Sequence, residues 1–247
     1  MKDSEEILII EDKTEYKKDQ PISFLNTPRA LFANQILQEE TSGRIRVLNP
    51  LEVVQYWDSI PERSSTHADT NSVPIYPNDG VNEDLRLKAL GIIGKDPNKL
   101  ESPLLILNLG VEPSDSSHGF TFTETPYSET IEAPFLRKDQ RVEYDSKTKT
   151  LVPTDDNTRD YIWTPSDQSG LLMACRSSGG GVNFRDDDLL DSNWVGRIQI
   201  IQDPQCLAGN LDELVNQLET ERKNQIAEVN VRYNKALQTA LDILRTG

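Results

Sequence analysis

Apolar residues recur at helical spacing near both ends of the chain and alternate with polar residues in its middle. At the N-terminal end, Ile7 to Ile10 is a short apolar run that reads as a strand. Thr27 and Pro28 give a cap and a proline at the first helical position, and Leu31, Phe32, Ile36 and Leu37 then share a face until Gly43 ends the helix. Arg44 to Leu48 alternates as a strand does. Asn49 and Glu52 have capping-box spacing, and Val53, Val54, Trp57 and Ile60 line a second helix that Pro61 stops. Ser72 to Tyr76 reads as extended. Asn82 opens a third helix with Glu83 and Asp84 in its first turn, where the helix dipole favours them, and Gly94 closes it.

From Pro103 the pattern changes. Leu104 to Leu109 reads as a buried strand, Phe120 and Phe122 alternate with threonine, and Glu129 to Phe135 reads as extended. Arg141 to Asp145 and Thr148 to Val152 flank Ser146-Lys147 as a hairpin would. Tyr161 to Trp163, Leu171 to Arg176, Val182 to Arg185 and Val195 to Ile201 add further strands.

Leu211 to Arg245 contains neither proline nor glycine and reads as one long helix, with Asn210 as cap and Glu213 at the capping-box position. At about 1.5 Å per residue it would extend about 50 Å, as long as a compact body of the preceding residues is wide, which is about 40–45 Å. Its apolar residues form two sets. Leu211, Leu214, Val215 and Leu218 make the first, and Ile226, Val229, Tyr233, Leu237, Leu241 and Leu244 the second, with the polar run Glu219 to Gln225 between them. The split predicts that the first set docks on the body and the second meets a partner.

The predicted fold class is therefore α+β: N-terminal helices with short strands, a β-rich antiparallel middle and a long C-terminal helix. Residues 1–209 are expected to form a single α+β domain, helical to about residue 102 and β-rich after it. Residues 210–247 are expected to form a helical extension. There is no internal repeat.

Charge narrows the functional classes. A net charge of −15 disfavours binding to a nucleic-acid backbone, which needs a lysine- and arginine-rich surface. The apolar run at Ile7 is too short for a secretory leader, and Leu104 to Val111 is far short of a membrane span. Two cysteines, Cys175 and Cys206, form no disulfide framework, so a cytoplasmic protein is expected. With His67 and His118 the only histidines, a zinc site has little to draw on.

Four constellations invite a chemical reading. Ser177 to Gly181 resembles a phosphate-binding loop only in its glycines. Such a loop leads into a helix, whereas Val182 to Arg185 reads as a strand, so a strand-connecting loop is expected. Gly91 to Asp96 has the wrong spacing for a phosphate-binding lysine. Asp186, Asp187 and Asp188, with Asp191 beyond, are the densest carboxylates and could hold Mg²⁺ or Ca²⁺, although neighbours in an extended chain point to opposite faces. Cys175, His118 and the Ser116-Ser117 pair lack any motif of an activated nucleophile, and Cys175 has the apolar setting of a buried structural thiol.

Two functions follow. The first is a non-catalytic interaction or assembly subunit, an adaptor whose C-terminal helix binds a protein partner or a second copy as in a coiled coil. Ile226, Val229, Tyr233, Leu237 and Leu241 carry the contact, and no cofactor, metal, catalytic residue or membrane is involved. The second is a divalent-metal-dependent hydrolase using the Asp186 to Asp191 carboxylates.

Overall fold

The computed structural model describes residues 6–12, 27–60, 68–176, 181–185 and 196–202, together with Thr220. The chain divides into two compact units, Met1–Pro204 and Gln205–Gly247. The first unit holds every element that follows. In chain order these are β1 (Glu6–Asp12), α1 (Thr27–Thr41), β2 (Ile45–Val47), α2 (Pro50–Gln55), β3 (Ala68–Asp69), β4 (Ser72–Ile75), α3 (Glu83–Ile92), β5 (Leu104–Leu107), β6 (Gly110–Pro113) and β7 (Phe120–Thr123). They continue with β8 (Glu129–Glu132), β9 (Gln140–Asp145), β10 (Thr150–Pro153), β11 (Asp160–Trp163), β12 (Met173–Arg176), β13 (Val182–Arg185) and β14 (Gly196–Gln202).

This corrects the predicted fold class. Among the described residues, fourteen strands accompany only three α-helices, and strands run through both halves of the chain. The N-terminal half is not a helical part set apart from a β-rich one: β1, β2 and β3 are built into the same nine-stranded sheet as β9 to β14. Nor is that sheet purely antiparallel, since β11 pairs parallel with β13 and β3 parallel with β14. The physical reason is that helical spacing is a local signal, whereas strand partners are chosen across long stretches of chain. The long C-terminal helix expected over 211–245 finds no support here. Of that stretch only Thr220 is described, in helical conformation and exposed, and the rest lies outside the described residues.

The nine-stranded sheet runs β1-β14-β3-β12-β13-β11-β9-β10, and β2 pairs with β14 beside β3. Strands β4, β5 and β8 form a second, antiparallel sheet, and β6 and β7 a hairpin. The two larger sheets are stitched together where Leu172 N–H donates to the Pro74 carbonyl and Tyr76 N–H to the Gly170 carbonyl, at 3.0 and 2.9 Å.

Helix boundaries follow their local chemistry. Asn49 accepts from the backbone N–H groups of Leu51 and Glu52 while Glu52 accepts from that of Asn49, which completes the capping box of α2. Helix α2 ends at Gln55, and Trp57–Ser59 continues only as a tight 3₁₀ turn. One apolar core lies between α2 and the nine-stranded sheet, around Leu51, Val53, Phe135, Val142, Ile162 and Phe184. A second lies under α1 and α3, around Leu31, Val73, Ile75, Leu90, Phe122 and Met173.

A register slip sets up the polar interior. Asp69 faces Cys175 and Ile75 faces Leu171, so six residue steps on one strand match four on the other. The surplus makes a bulge around Asn71 that turns its backbone away from β12. Its N–H donates to the Leu48 carbonyl, and its own carbonyl accepts from the Asn108 N–H, at 3.3 and 2.9 Å.

Candidate functional site

Among the polar places inside the first unit are one hydrogen-bond hub and the buried ionisable side chains of Asp69, Tyr76, Arg86 and Arg176. The hub is Asn108, which follows β5 in the left-handed region at φ 57°, a conformation asparagine tolerates better than most residues. Its Oδ1 accepts from Asn34 Nδ2, Gln38 Nε2 and Asn71 Nδ2, and its Nδ2 donates to the Tyr127 carbonyl. Asn34, Gln38 and Asn71 are each 2 % exposed or less. Helix α1 thus docks through polar residues: Asn34 Oδ1 also accepts from the Val47 N–H, and Thr41 Oγ1 from the Ile45 N–H.

Arg86 is fully buried in α3. Its guanidinium donates to the carbonyls of Tyr76 and Pro77 and to the carboxylates of Asp79 and Glu83, pinning the turn that follows β4. Tyr76 is also fully buried, and its hydroxyl donates to the Leu136 carbonyl at 2.9 Å. Burial, aided by the Asp139 charge, holds that phenol well above the ordinary tyrosine range.

Asp69 sits in β3 with its carboxyl buried. Burial pushes its pKa up to about 8, and the Thr27 hydroxyl at the start of α1 offsets this only in part. Arg176 is fully buried on the other face of the sheet, its guanidinium 5.5 Å from the ring centre of Trp57. Asp69, Arg86 and Arg176 are each 4 % exposed or less. A shallow cavity of about 150 Å³ does open beside α2, lined by Val54, Gln55, Val142, Glu143, Tyr144, Arg159 and Asp160. It is smaller than the roughly 300 Å³ at which ligand pockets usually begin. Its cation, Arg159, already lies 3.7 Å from Glu143 and 3.3 Å from Asp156.

The residues singled out in the sequence fare differently. Ile226, Val229, Tyr233, Leu237 and Leu241 lie outside the described residues, as do Asp186, Asp187, Asp188, Asp191, His67 and Cys206. Cys175 is buried in β12 with Sγ 3.7 Å from the Asn183 carbonyl. His118 lies 3.0 Å from Asp84 on α3, and Ser116 donates to the Phe120 carbonyl, so the structure gives the imagined nucleophile and base separate surroundings. Among the described residues, no group of three or more His, Cys, Asp or Glu side chains is placed to hold a metal ion. Likewise, no described helix is long and apolar enough to cross a membrane.

Of the glycine run, Gly181 is described and residues 177–180 are not. Gly181 joins β12 to β13, which pair antiparallel, at φ 94°. A Cβ there would lie 2.0 Å from the Tyr161 carbonyl oxygen, because β13 runs alongside β11. Gly181→Ala should therefore cost about 3 kcal/mol, combining backbone strain with a clash that two paired strands cannot relieve. Gly119→Ala is the control. Its φ is also positive, at 74°, but among the described residues nothing stands within 4 Å of an added Cβ. That change should cost only about 1 kcal/mol, and urea melts of the two variants would show whether contact or conformation matters more at Gly181.

The polar interior was missed by sequence reading. Phe32 and Ile36 of the apolar stripe of α1 are only half-buried, whereas Asn34 and Gln38 interrupt that stripe and are buried. Their spacing with Leu31 and Thr41 was the available signal.

No family model, no curated protein and no solved structure matches this chain.

Proposed function

We propose that this protein is a non-catalytic assembly subunit, whose residues 210–247 engage a protein partner or a second copy of the chain through Ile226, Val229, Tyr233, Leu237 and Leu241. The observation that carries this is the division of the chain after Pro204. The first unit has two apolar cores of its own, drawn from residues between Leu31 and Ile201. The second apolar set of the C-terminal stretch belongs to a different unit, beyond the polar run Glu219 to Gln225.

Contact residues of this size contribute about 1.5–3 kcal/mol each when fully buried. Replacing Val229 and Leu237 together by Asp should weaken association by more than about a hundredfold. It should leave the melting temperature of the first unit unchanged. Sedimentation equilibrium and thermal melts of the full chain, wild type against Val229→Asp/Leu237→Asp, test this. If the wild type sediments as a monomer, a protein captured from native extract must be lost from the variant. A large fall in melting temperature with no change in assembly would show that these residues serve the protein's own core, and the proposal would fail.

A further inference from the structure

The nine-stranded sheet is narrowest at β3. Strand β3 is two residues long, and it stands between β14 and β12 in the strand order. One register pair, Ile198 with Asp69, joins it to β14, and two pairs, Cys175 with Asp69 and Arg176 with Ala68, join it to β12. Asp69 is thus common to both ladders.

Residues paired across a ladder share a face. Cys175 of β12 and Ile198 of β14 therefore flank the Asp69 side chain, and α1 brings Thr27 to it. The Cys175 thiol is the titratable group on β12's side, β14 presents an apolar residue, and Arg29 lies in the same first turn of α1 as Thr27. Arg176, next along β12, faces the opposite side beneath Trp57. Asp69 is only 4 % exposed, and its Oδ1 has no hydrogen-bond partner among the described residues. A carboxylate in that position would carry its charge with an oxygen unsolvated and unbonded, whereas a protonated carboxyl is neutral there.

We propose that β3 is a proton-held seam: while Asp69 keeps its proton the β14 and β12 sides of the sheet stay joined, and loss of that proton opens the sheet locally along β3.

The direction in pH follows from linkage. The closed seam binds the proton more tightly than the opened one, where Asp69 returns to the ordinary carboxylate range. The closed form is therefore fully favoured below that range and loses ground as pH rises, until the change levels off near pH 8. In between, the opening equilibrium should grow about tenfold per pH unit.

Hydrogen exchange followed by mass spectrometry from pH 6 to 9, corrected for the pH dependence of the chemical step, tests this on the full chain. Protection of peptides covering 68–70, 173–176 and 196–200 should fall about tenfold per pH unit to pH 8 and then flatten. The β9–β10 hairpin should hold its protection throughout. In Asp69→Asn, and in Asp69→Val should the first variant fail to fold, seam protection should not change with pH. Three results would overturn the proposal: pH-independent seam protection in the wild type, the same slope in a folded variant, or a hairpin that opens in step with the seam. The wild-type contrast between seam and hairpin decides the matter even if neither variant folds.

Discussion

Asn108→Ala should destabilise the first unit by about 4 kcal/mol in urea melts, one of the two largest effects expected of a single substitution. Four side-chain hydrogen bonds are lost together. They are not equal in consequence. Asn34 Nδ2 retains Gln38 Oε1 as an acceptor and Asn71 Nδ2 retains the Val47 carbonyl. Gln38 Nε2, which is buried, and the Tyr127 carbonyl, which is only partly so, lose the partner that Asn108 supplied, at a cost of about 1–3 kcal/mol for the first and less for the second. Alanine at φ 57° adds about 1 kcal/mol of backbone strain. Asn108→Gly separates the two contributions: it removes the strain but not the orphaned groups, and should recover only about 1 kcal/mol. Were both variants within about 0.5 kcal/mol of wild type, α1 would have to be held by apolar packing and by its other hydrogen bonds, those of Asn34 and Thr41 to β2.

The same residues show how far the sequence could be read. Elements defined by local chemistry were legible. Pro28 lies in the first turn of α1, although Thr27 is already helical there and not its cap, the Asn49–Glu52 capping box starts α2, and Arg141 to Asp145 and Thr148 to Val152 foreshadow β9 and β10. The third helix begins after Asn82 with Glu83 and Asp84 in its first turn, as expected. Asn82 makes no side-chain cap; it sits at φ 56° and its Nδ2 donates to the Leu171 carbonyl across the fold. What local signals could not carry was partnership. Nothing near Val182 indicates that β13 lies parallel to β11, and nothing near Ala68 indicates that two residues join β14 to β12. Such pairings are settled by which strands can cover a common core, and the separation of the chain into a helical and a β-rich part failed on them. Buried polar residues were hidden for a related reason. Asn34, Gln38, Asp69 and Arg86 look like surface residues until the fold supplies what surrounds them.

Arg86 carries the second large expectation. Asp79 and Glu83 form ion pairs with it, but their side chains are 88 % and 32 % exposed and can return to water if the arginine is lost. Little stability should therefore reside in the ion pairs, and Glu83→Gln should cost less than about 1 kcal/mol. The weight falls on the carbonyls of Tyr76 and Pro77, which accept from Nε and Nη2 at 3.1 and 2.7 Å. These carbonyls open the turn from β4 to α3, which is hydrogen-bonded to the residues leading into β12: the Asn78 carbonyl accepts from the Gly170 N–H and the Tyr76 N–H donates to the Gly170 carbonyl. Arg86→Met fills much of the same volume without donors and should cost about 3 kcal/mol, the penalty for leaving two carbonyls unpaired. Arg86→Ala adds a cavity and should cost about 5 kcal/mol. Arg86→Lys keeps the charge but cannot present the planar fork, so it should fall between wild type and Met. If the ion pairs dominated instead, Lys would behave like wild type, Glu83→Gln would cost about as much as Met, and raising the salt concentration would destabilise wild type while sparing Met. Because the two acids are the solvent-facing end of the arrangement and the two carbonyls its buried end, the expected order of stability is wild type, Lys, Met, Ala, with little response to salt.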